Sequence, residues 1–281
     1  MNATSASRPE TEGLSVSVVV YRPELAQLAS TLASLGAACE ALWAVRRDLP
    51  ITLYIVDNGG LPEIRQELDE LQAHGVETSI LSGHGNIGYG RGHNLAIERA
   101  ATRYHLVLNP DIDLDREALL RAVDFFETNP EVGLLTPWIG DEQGRQQFLC
   151  RRYPTLLDLF VRGFLPGSVR SLFTRRLARY EMRDVINERE IVWDPPIVSG
   201  CFMLFRTGVL RKLAGFDARY FLYFEDYDLS LRAHDVARVV YVPTVRVLHH
   251  GGGAARKGTA HIRMFMASAY KFFSRFGWKW L

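Results

Sequence analysis

The sequence has little cysteine, no long hydrophobic run and almost no net charge. Its three cysteines, Cys39, Cys150 and Cys201, are an odd number at wide spacing, which argues against a disulfide framework or a metal knuckle and indicates a reducing compartment. The longest apolar stretches, residues 16–21 and 197–206, fall short of the ~18 residues of a membrane-spanning helix. Residues 1–13 lack the apolar core of a signal peptide and are predicted to form a disordered tail. With 47% hydrophobic and 23% charged residues, the chain has the composition of a globular protein.

The net charge of +1 hides an uneven distribution along the chain. Residues 145–183 hold nine arginines against two acids, Asp158 and Glu181, whereas residues 236–281 hold eight lysines or arginines and no acid. The rest of the chain is therefore acidic. This pattern predicts contact with a polyanion or an anionic membrane surface. Nucleic acid is not the expected partner, because neither zinc-finger spacing nor an aromatic run of the RNA-recognition type is present.

Strand-like and helix-like segments alternate in the first half of the chain. Strands are predicted over residues 14–21, 51–56, 76–81, 106–108 and 132–137, and helices over 23–45, 62–74, 93–103 and 115–129. Such alternation predicts an α/β fold with a mostly parallel central sheet flanked by helices. In the less regular second half, strands are predicted over 198–205, 239–242 and 245–248, and helices over 224–234 and 262–276.

A glycine-rich loop, residues 82–94, follows the third predicted strand. It contains the spacing Gly-x-Gly-x-x-Gly ending at Gly88, and Asp111 lies 23 residues further on, as in a dinucleotide-binding fingerprint. However, the loop continues through two more glycines to Asn94, which is longer than a tight pyrophosphate turn. Dinucleotide binding, another nucleotide-related role and a merely flexible loop all stay open at this point.

Acidic and imidazole side chains at predicted strand ends are candidates for a metal site. Asp111 and Asp113 follow a buried strand, and carboxylates at this spacing can hold one Mg²⁺ or Mn²⁺ together with substrate phosphates. For Asp115, capping of the next helix is the better explanation. His249 and His250 stand between a strand and three glycines, and of these two we expect His249 to be the ligand.

Three more acids, Glu225, Asp226 and Asp228, lie among aromatic residues at the start of a predicted helix. Partly apolar surroundings can raise the pKa of a carboxyl group towards the working range of a general base. Acids are also favoured at a helix N-terminus by the helix dipole. We therefore expect one of the three to be catalytic and its neighbours to be structural.

Taken in order, these segments resemble the motifs of glycosyltransferase family 2. The matching segments are Val-Val-Val-Tyr at 18–21, Val-Asp-Asn at 56–58, Asn-Ile-Gly-Tyr-Gly at 86–90 with Asn94, Leu-Asn-Pro-Asp at 108–111, Val-Ser-Gly-Cys at 198–201, Gly-Phe-Asp at 215–217, the stretch 224–232, and His249 before its glycines. Within the family they are most similar to bacterial rhamnosyltransferases of cell-surface polysaccharide assembly. The resemblance implies a GT-A fold, with a nucleotide-sugar-binding half over 14–137, an acceptor-binding half over 138–258 and a C-terminal amphipathic helical extension over 259–281.

The resemblance also implies a role for individual residues. The implied donor-binding residues are Tyr21, Asp57, Asn58, Asn86, Gly88, Tyr89, Asn94, Asn109 and Asp111. The implied acceptor-binding residues are Trp193, Gly200, Glu225 and Arg232. The implied metal ligands are Asp111, Asp113 and His249, the cofactor is Mg²⁺ or Mn²⁺, and Asp226 is the implied catalytic base. Asn109 replaces the first acid of the family's Asp-x-Asp motif, which lowers the expected metal affinity unless Asp113 compensates. Cys201 stands where a smaller residue is common and is expected to pack.

The activity implied by this resemblance is an inverting transfer of L-rhamnose from dTDP-L-rhamnose to a saccharide or lipid-linked acceptor in polysaccharide or lipopolysaccharide biosynthesis. The alternatives are a donor carrying UDP-linked galactose, N-acetylglucosamine or glucose, a sugar nucleotidyltransferase, and a nucleotide-sugar-binding protein without catalysis.

The C-terminal residues 264–281 place seven aromatic residues among Lys271, Arg275 and Lys279. Such a composition is typical of a helix at a bilayer interface, although packing on the protein body or a dimer contact would also explain it. We therefore expect a cytoplasmic protein that is peripheral on the cytoplasmic face of the inner membrane.

Overall fold

The computed structural model describes residues 10–251 and 258–281, which form one nine-stranded sheet covered by helices. The strands are β1 (Thr11–Val20), β2 (Ile51–Asp57), β3 (Glu77–Leu81), β4 (Thr102–Leu108), β5 (Ile112–Leu114), β6 (Val132–Gly140), β7 (Val192–Trp193), β8 (Phe202–Arg206) and β9 (Arg238–His249). Their order is β3-β2-β1-β4-β8-β6-β9-β5, and β7 also pairs with β9. Only β5, β7 and β8 run against the other six, so the predicted mostly parallel α/β sheet is confirmed.

Helices cover both faces of this sheet. They are α1 (Leu25–Val45), α2 (Arg65–Ala73), α3 (Tyr89–Ile97), α4 (Ala118–Thr128), α5 (Leu156–Phe164), α6 (Gly167–Arg170), α7 (Thr174–Tyr180), α8 (Thr207–Leu213), α9 (Glu225–Ala233) and α10 (Gly258–Phe276), with a 3₁₀ turn at Ser171–Phe173. The apolar sides of α1, α2 and α4 form the main core with one face of the sheet. Residues of α3, α8 and α9 form a second core on the other face.

Helix α1 is long and apolar enough to cross a membrane by length and composition, so the expectation that no segment approaches that length was wrong. The contacts of α1 explain its apolar composition by packing in the core and not by a membrane. Leu28, Leu32 and Leu35 are fully buried in the main core, and the helix packs against α2, α4 and β5. The helix is therefore apolar because it is a core element of this domain.

Two predicted boundaries in the first half were wrong. Strand β1 begins at Thr11, whose N–H donates to Ala101 O, so residues 11–13 belong to the sheet and not to a tail. Residues 1–9 lie outside the described residues. Strand β4 begins at Thr102, inside the helix predicted over 93–103, which instead spans Tyr89–Ile97. The start of β4 was not predicted as a strand because it contains polar residues. One of them, His105, is nevertheless buried, because it is hydrogen-bonded to Ser15 and Ser17 of β1.

Further differences lie in the second half. The strand predicted from residue 198 begins only at Phe202, because the N–H groups of Val198 and Gly200 donate to side chains of α9. The two short strands predicted over 239–242 and 245–248 are one continuous strand, β9, whose register against β6 shifts near Pro243. The short strands β5 and β7 were not predicted.

Candidate active site

Most of the polar residues singled out in the sequence lie along one edge of the sheet. Tyr21 and Asn58 follow β1 and β2, Asp111 follows β4, and His249 ends β9, all at the carboxyl ends of strands that run the same way. Strand β8 runs the opposite way, so Gly200, just before it, lies at the same edge. In open α/β sheets this edge is where ligands bind.

The end of β2 is tied to the glycine-rich loop. Asn58 is buried; its Nδ2 donates to Gly88 O at 3.0 Å, and its Oδ1 lies 3.1 Å from His84 Nε2. Asp57 Oδ1 accepts the N–H of Gly59, against which the Tyr21 ring lies. The Tyr21 ring is half exposed, which leaves it free to stack on a planar ligand.

The glycine-rich loop also contacts the segment that leads into α9. Tyr89 N–H donates to Phe221 O at 3.0 Å, and Tyr89 Oη donates to Gly200 O at 2.7 Å. Gly88 has φ +93°, and a Cβ there would overlap Phe221 O. Asn86 Oδ1 accepts the Gly88 N–H. Residues 86–89 of the loop are therefore fixed against Gly200 and the segment that precedes α9, which argues against the interpretation of a merely flexible loop.

The three acids of α9 have different surroundings. Asp226 Oδ2 accepts the N–H of Gly200 at 3.1 Å, and its Oδ1 accepts the N–H of Tyr227. Burial raises the pKa of Asp226. Burial, followed by the neighbouring Asp226 charge, raises the pKa of Glu225. Asp228 is instead fully buried in ion pairs with Arg232 and Arg275. Of the three acids, Asp226 has its carboxylate beside Gly200 at the sheet edge.

The backbone that presents these acids is strained. Tyr223 and Phe224, directly before α9, both have positive φ values, of 72° and 66°. This conformation is rare for bulky residues and is concentrated at functional sites. The Phe224 side chain lies in an aromatic cluster with Phe272, directly before the two acids Glu225 and Asp226.

Asp111 and His249 face each other at the ends of β4 and β9. His249 Nε2 lies 3.6 Å from Asp111 Oδ1, and that carboxylate oxygen is buried without a hydrogen-bond partner among residues 10–251 and 258–281. Burial lowers the pKa of His249, which favours the neutral imidazole. A Cβ at Gly251 would overlap Asp111 Oδ2 and come within 2.7 Å of His249 Nε2. The Gly251 backbone thus lies close against both side chains, and a larger residue there would collide with their polar atoms.

Comparison with known proteins identifies the family. The model of glycosyl transferase family 2 matches residues 15–214, well over half of the chain. The chain belongs to glycosyltransferase family 2.

Relatives within this family include rhamnosyltransferases. An N-acetylglucosaminyl-diphospho-decaprenol L-rhamnosyltransferase of Mycobacterium tuberculosis is 28% identical over 278 residues, covering 93% of this chain and 84% of the relative. Rhamnosyltransferase WbbL of Escherichia coli is 27% identical over 192 residues, covering 65% of this chain and 68% of the relative.

Solved structures support the fold. Staphylococcus aureus TarS 1–349 superposes with a TM-score of 0.54 at 16% identity, covering 93% of this chain and 72% of that one. GalNAc-T7, solved with UDP, GalNAc and Mn²⁺, gives a TM-score of 0.58 at 15% identity and covers 85% of this chain and 43% of that one. The predicted GT-A fold and the assignment as a glycosyltransferase are confirmed.

The site of this family 2 enzyme fits a divalent cation at Asp111 and His249. An unpartnered carboxylate oxygen and a neutral imidazole nitrogen are suitable donors. Among the described residues no three His, Cys, Asp or Glu side chains surround one point, so phosphate oxygens of a nucleotide sugar would have to complete the coordination.

Sequence reasoning missed Gln147, which holds His249 from two sides. Gln147 Nε2 donates to the backbone O of His249 at 2.9 Å, so its Oε1, 3.0 Å from His249 Nδ1, must accept a proton from that nitrogen. His249 Nε2 therefore carries the lone pair that faces Asp111. A glutamine after the turn at residues 141–144 gives no signal in the sequence, because its partner lies 102 residues away.

Asp113 was predicted to bind the metal with Asp111 and His249, but in the structure its carboxylate contacts His250 and Ser30. Its Oδ2 accepts from Ser30 Oγ and lies 2.8 Å from His250 Nε2, while His250 Nδ1 lies 3.0 Å from Glu142. The contacts with Asp113 and Glu142 raise the pKa of His250. Asp113 Oδ1 has no hydrogen-bond partner within the described part of the chain, so a ligand role for Asp113 stays a prediction for that one oxygen.

Two of the implied site residues make structural contacts. Asn94 Nδ2 donates to Phe216 O, and Asn94 Oδ1 accepts the Phe216 N–H. Arg232 pairs with Asp228 and donates to Leu213 O and Gly215 O, so both residues hold the loop before α9. A donor-binding role for Asn94 and an acceptor-binding role for Arg232 stay predictions.

Trp193 lies far from the site, so its implied acceptor-binding role was wrong. It pairs with Val240 on β9, nine residues before His249, which at ~3.3 Å per residue is about 30 Å along the strand. The guanidinium of Arg238 lies over its ring, and Phe125 lies beside it. Cys201, by contrast, packs as expected: it is buried, and burial raises its thiol pKa to about 12.

Proposed function

We propose that this enzyme transfers L-rhamnose from dTDP-L-rhamnose with inversion, using Asp226 as general base. The observation that carries the proposal is the position of the Asp226 carboxylate, held by the Gly200 N–H at the sheet edge where Asp111 and His249 also lie. With its pKa raised by burial, the carboxylate is a stronger proton acceptor than an exposed aspartate.

In the proposed reaction, Asp226 takes the proton of an acceptor hydroxyl as that oxygen attacks the anomeric carbon of the donor. The bond to the nucleoside diphosphate breaks on the opposite face, so one displacement inverts the configuration and no covalent intermediate is needed. Asp111 and His249 would hold a divalent cation that stabilises the negative charge of the leaving diphosphate. Tyr21, Asp57 and Asn58 would surround the base and ribose.

The names of the relatives support rhamnose as the donor sugar, because two of them are rhamnosyltransferases. A UDP-linked sugar is the second candidate. It is favoured by the bound ligands of the structural neighbours, since TarS was solved with UDP-GlcNAc and GalNAc-T7 with UDP.

A lipid-linked saccharide is the acceptor we propose, at the cytoplasmic face of the inner membrane. The M. tuberculosis relative is named for an acceptor with an N-acetylglucosaminyl diphosphate on decaprenol. The surplus of positive charge in residues 145–183 and 236–281 supports contact with an anionic membrane.

The proposal is tested by a donor screen with two readouts. Thermal unfolding of the protein is measured with dTDP-L-rhamnose, UDP-galactose, UDP-glucose and UDP-GlcNAc, each with and without Mn²⁺ or Mg²⁺, because a bound donor raises the melting temperature by mass action. Transfer to a synthetic N-acetylglucosaminyl-diphospho-lipid is then followed by NMR of the anomeric configuration. We expect stabilisation and inverting transfer with dTDP-L-rhamnose. Transfer from a UDP-sugar alone would contradict the donor, and full activity in EDTA would contradict the metal.

A further inference from the structure

An arginine-rich lobe, residues 156–180, projects large apolar side chains into solvent. It comprises α5, α6, the 3₁₀ turn and α7. Phe160, Phe164 and Val169 are exposed, and Leu172 is 82% exposed. Neighbouring exposed apolar residues of this size mark an interaction surface more often than a random surface does.

The charge of this lobe is predominantly positive. Between Asp158 and Glu181 the chain has five arginines and no acid. Arg176 pairs with Asp158, and Arg162 lies 3.7 Å from Glu181. Arg170 and Arg175 form no ion pair within residues 10–251 and 258–281, and both are exposed. Cations beside exposed aromatic and aliphatic side chains are the composition of a membrane-interface segment.

The end of the chain joins this surface. Leu156 N–H donates to Lys279 O and Leu157 N–H donates to Trp280 O, so the last residues lie against the start of α5. Trp280 is 69% exposed, and Trp278 is exposed as well. Tryptophan is enriched at the level of lipid headgroups. Two segments more than 100 residues apart in sequence therefore form one exposed surface.

The lobe contacts the helix that carries the proposed catalytic base. Tyr180, the last residue of α7, is buried, and its Oη lies 2.8 Å from Tyr227 Oη. Tyr227 directly follows Asp226. The buried side of the lobe thus packs on α9, the helix that carries the base.

We propose that the arginine-rich lobe, together with residues 278–281, docks on an anionic lipid bilayer and so brings a lipid-linked acceptor to Asp226. The part about the acceptor rests on the proposed function; the docking itself does not. Charge selects the bilayer over a second copy of this chain, because a symmetric dimer through the lobe would place its arginines against the same arginines. The lobe, and not the exposed side of α10, is the principal contact.

The test is cosedimentation with vesicles of equal parts phosphatidylglycerol and phosphatidylcholine, at low and high salt. Two double variants address the lobe, Phe164→Ser with Leu172→Ser and Arg170→Glu with Arg175→Glu. Matched controls are Val45→Ser and Arg65→Glu, an exposed apolar and an exposed cationic residue outside the lobe. A third double variant, Met266→Ser with Tyr270→Ser, addresses the exposed side of α10. Circular dichroism checks that each variant is folded.

We expect each lobe variant to bind the vesicles at least about tenfold more weakly than wild type, and the controls to bind like wild type. Undiminished binding by the lobe variants would overturn the proposal, and so would release by the α10 variant alone. The proposal would also be overturned if the wild-type protein did not bind vesicles and light scattering showed that it dimerises through the lobe.

Transfer assays separate docking from catalysis. The lobe variants should keep wild-type transfer to a short-chain, water-soluble acceptor and lose transfer to the same headgroup embedded in vesicles. Loss of both with vesicle binding retained would contradict docking as the role of the lobe. Because vesicle binding needs no donor, a negative donor screen leaves the cosedimentation result standing on its own.

Discussion

Asp226 and Asp228 lie two residues apart and have different surroundings. The Asp226 carboxylate is held at the sheet edge by two backbone N–H groups, whereas Asp228 neutralises Arg232 and Arg275 in the interior. In Asp226→Asn the amide oxygen can still accept the Gly200 N–H, and only the bond from the Tyr227 N–H is lost. We therefore expect this variant to keep donor affinity and to lower kcat by ~10²–10⁴-fold. Calorimetry of donor binding and single-turnover transfer measure the two effects.

Asp228→Asn is the control for that substitution. It removes buried ion pairs, so its main effect should be a lower melting temperature. An Asp226→Asn variant with near wild-type turnover, beside a folded Asp228→Asn variant that binds donor but is inactive, would show that the base is the other acid.

Glu225 is expected to make the stability of the protein depend on pH. Burial raises its pKa to about 8, whereas an unfolded glutamate titrates near 4.3. Between these values the native state holds a proton that the unfolded state has lost, so the free energy of unfolding falls as pH rises. Glu225→Gln cannot titrate and should have a flatter profile in urea unfolding across this window. The exposed Glu98→Gln is the control, and parallel curves for wild type and Glu225→Gln would mean that Glu225 is already ionised in the folded protein.

Gln147 is expected to act on metal binding through His249. Gln147→Leu removes both contacts that fix the imidazole, and loss of such an orienting partner typically weakens metal binding 10–100-fold. Titration with Mn²⁺ in the presence of the nucleotide, followed by calorimetry, measures this without turnover. Gln143→Leu, on the exposed turn nearby, should bind Mn²⁺ like wild type. Equal affinity in all three proteins would rule out the positioning role.

At the level of elements, the start of α3 is joined to the segment before α9 by a close backbone approach at Gly88. Gly88→Ala would place a methyl group on Phe221 O, whereas Gly83, with a similar φ of +88°, has nothing within 4 Å of its added Cβ. Both alanine variants share the strain of a positive φ, so their difference isolates the contact. We expect Gly88→Ala to be less stable than Gly83→Ala by ~1–3 kcal/mol in chemical denaturation. Equal stabilities would show that the two segments can separate freely.

At the scale of the whole molecule, α10 completes the fold. Phe272 and Phe273 are fully buried against Tyr220 and Phe224, so the packing explanation applies to this side of the helix. Deletion of residues after 258 would therefore expose core surface and could not test membrane binding cleanly. We expect Phe272→Ala to destabilise the protein by ~3–5 kcal/mol and the exposed Met266→Ala to leave the melting temperature near wild type. A mild effect of Phe272→Ala would mean that α10 is a dispensable extension.

The sequence by itself determined the fold class and most of the edge on which the site is built. Strands rich in β-branched residues that alternate with amphipathic helices can bury their apolar faces in few ways. A mostly parallel sheet covered by helices is the arrangement that buries both kinds of element. Once the strands are parallel, residues that follow them share an edge, so Asn58 and Asp111 could be grouped from their positions alone. The signal failed at β4, where the interior side chains are polar and hydrogen-bonded.

Tertiary structure alone decided which of these side chains remain available for a ligand. Asn94 and Arg232 fit their motifs, yet Asn94 is hydrogen-bonded to the backbone of Phe216, and Arg232 is bonded to Asp228 and two backbone carbonyls. Trp193 lies at the other end of β9. Gln147 fits no motif and still orients His249 across 102 residues. Local patterns report periodicity and propensity, which fix the element and its buried face. Contacts between distant side chains depend on how whole elements pack, and no local pattern encodes that.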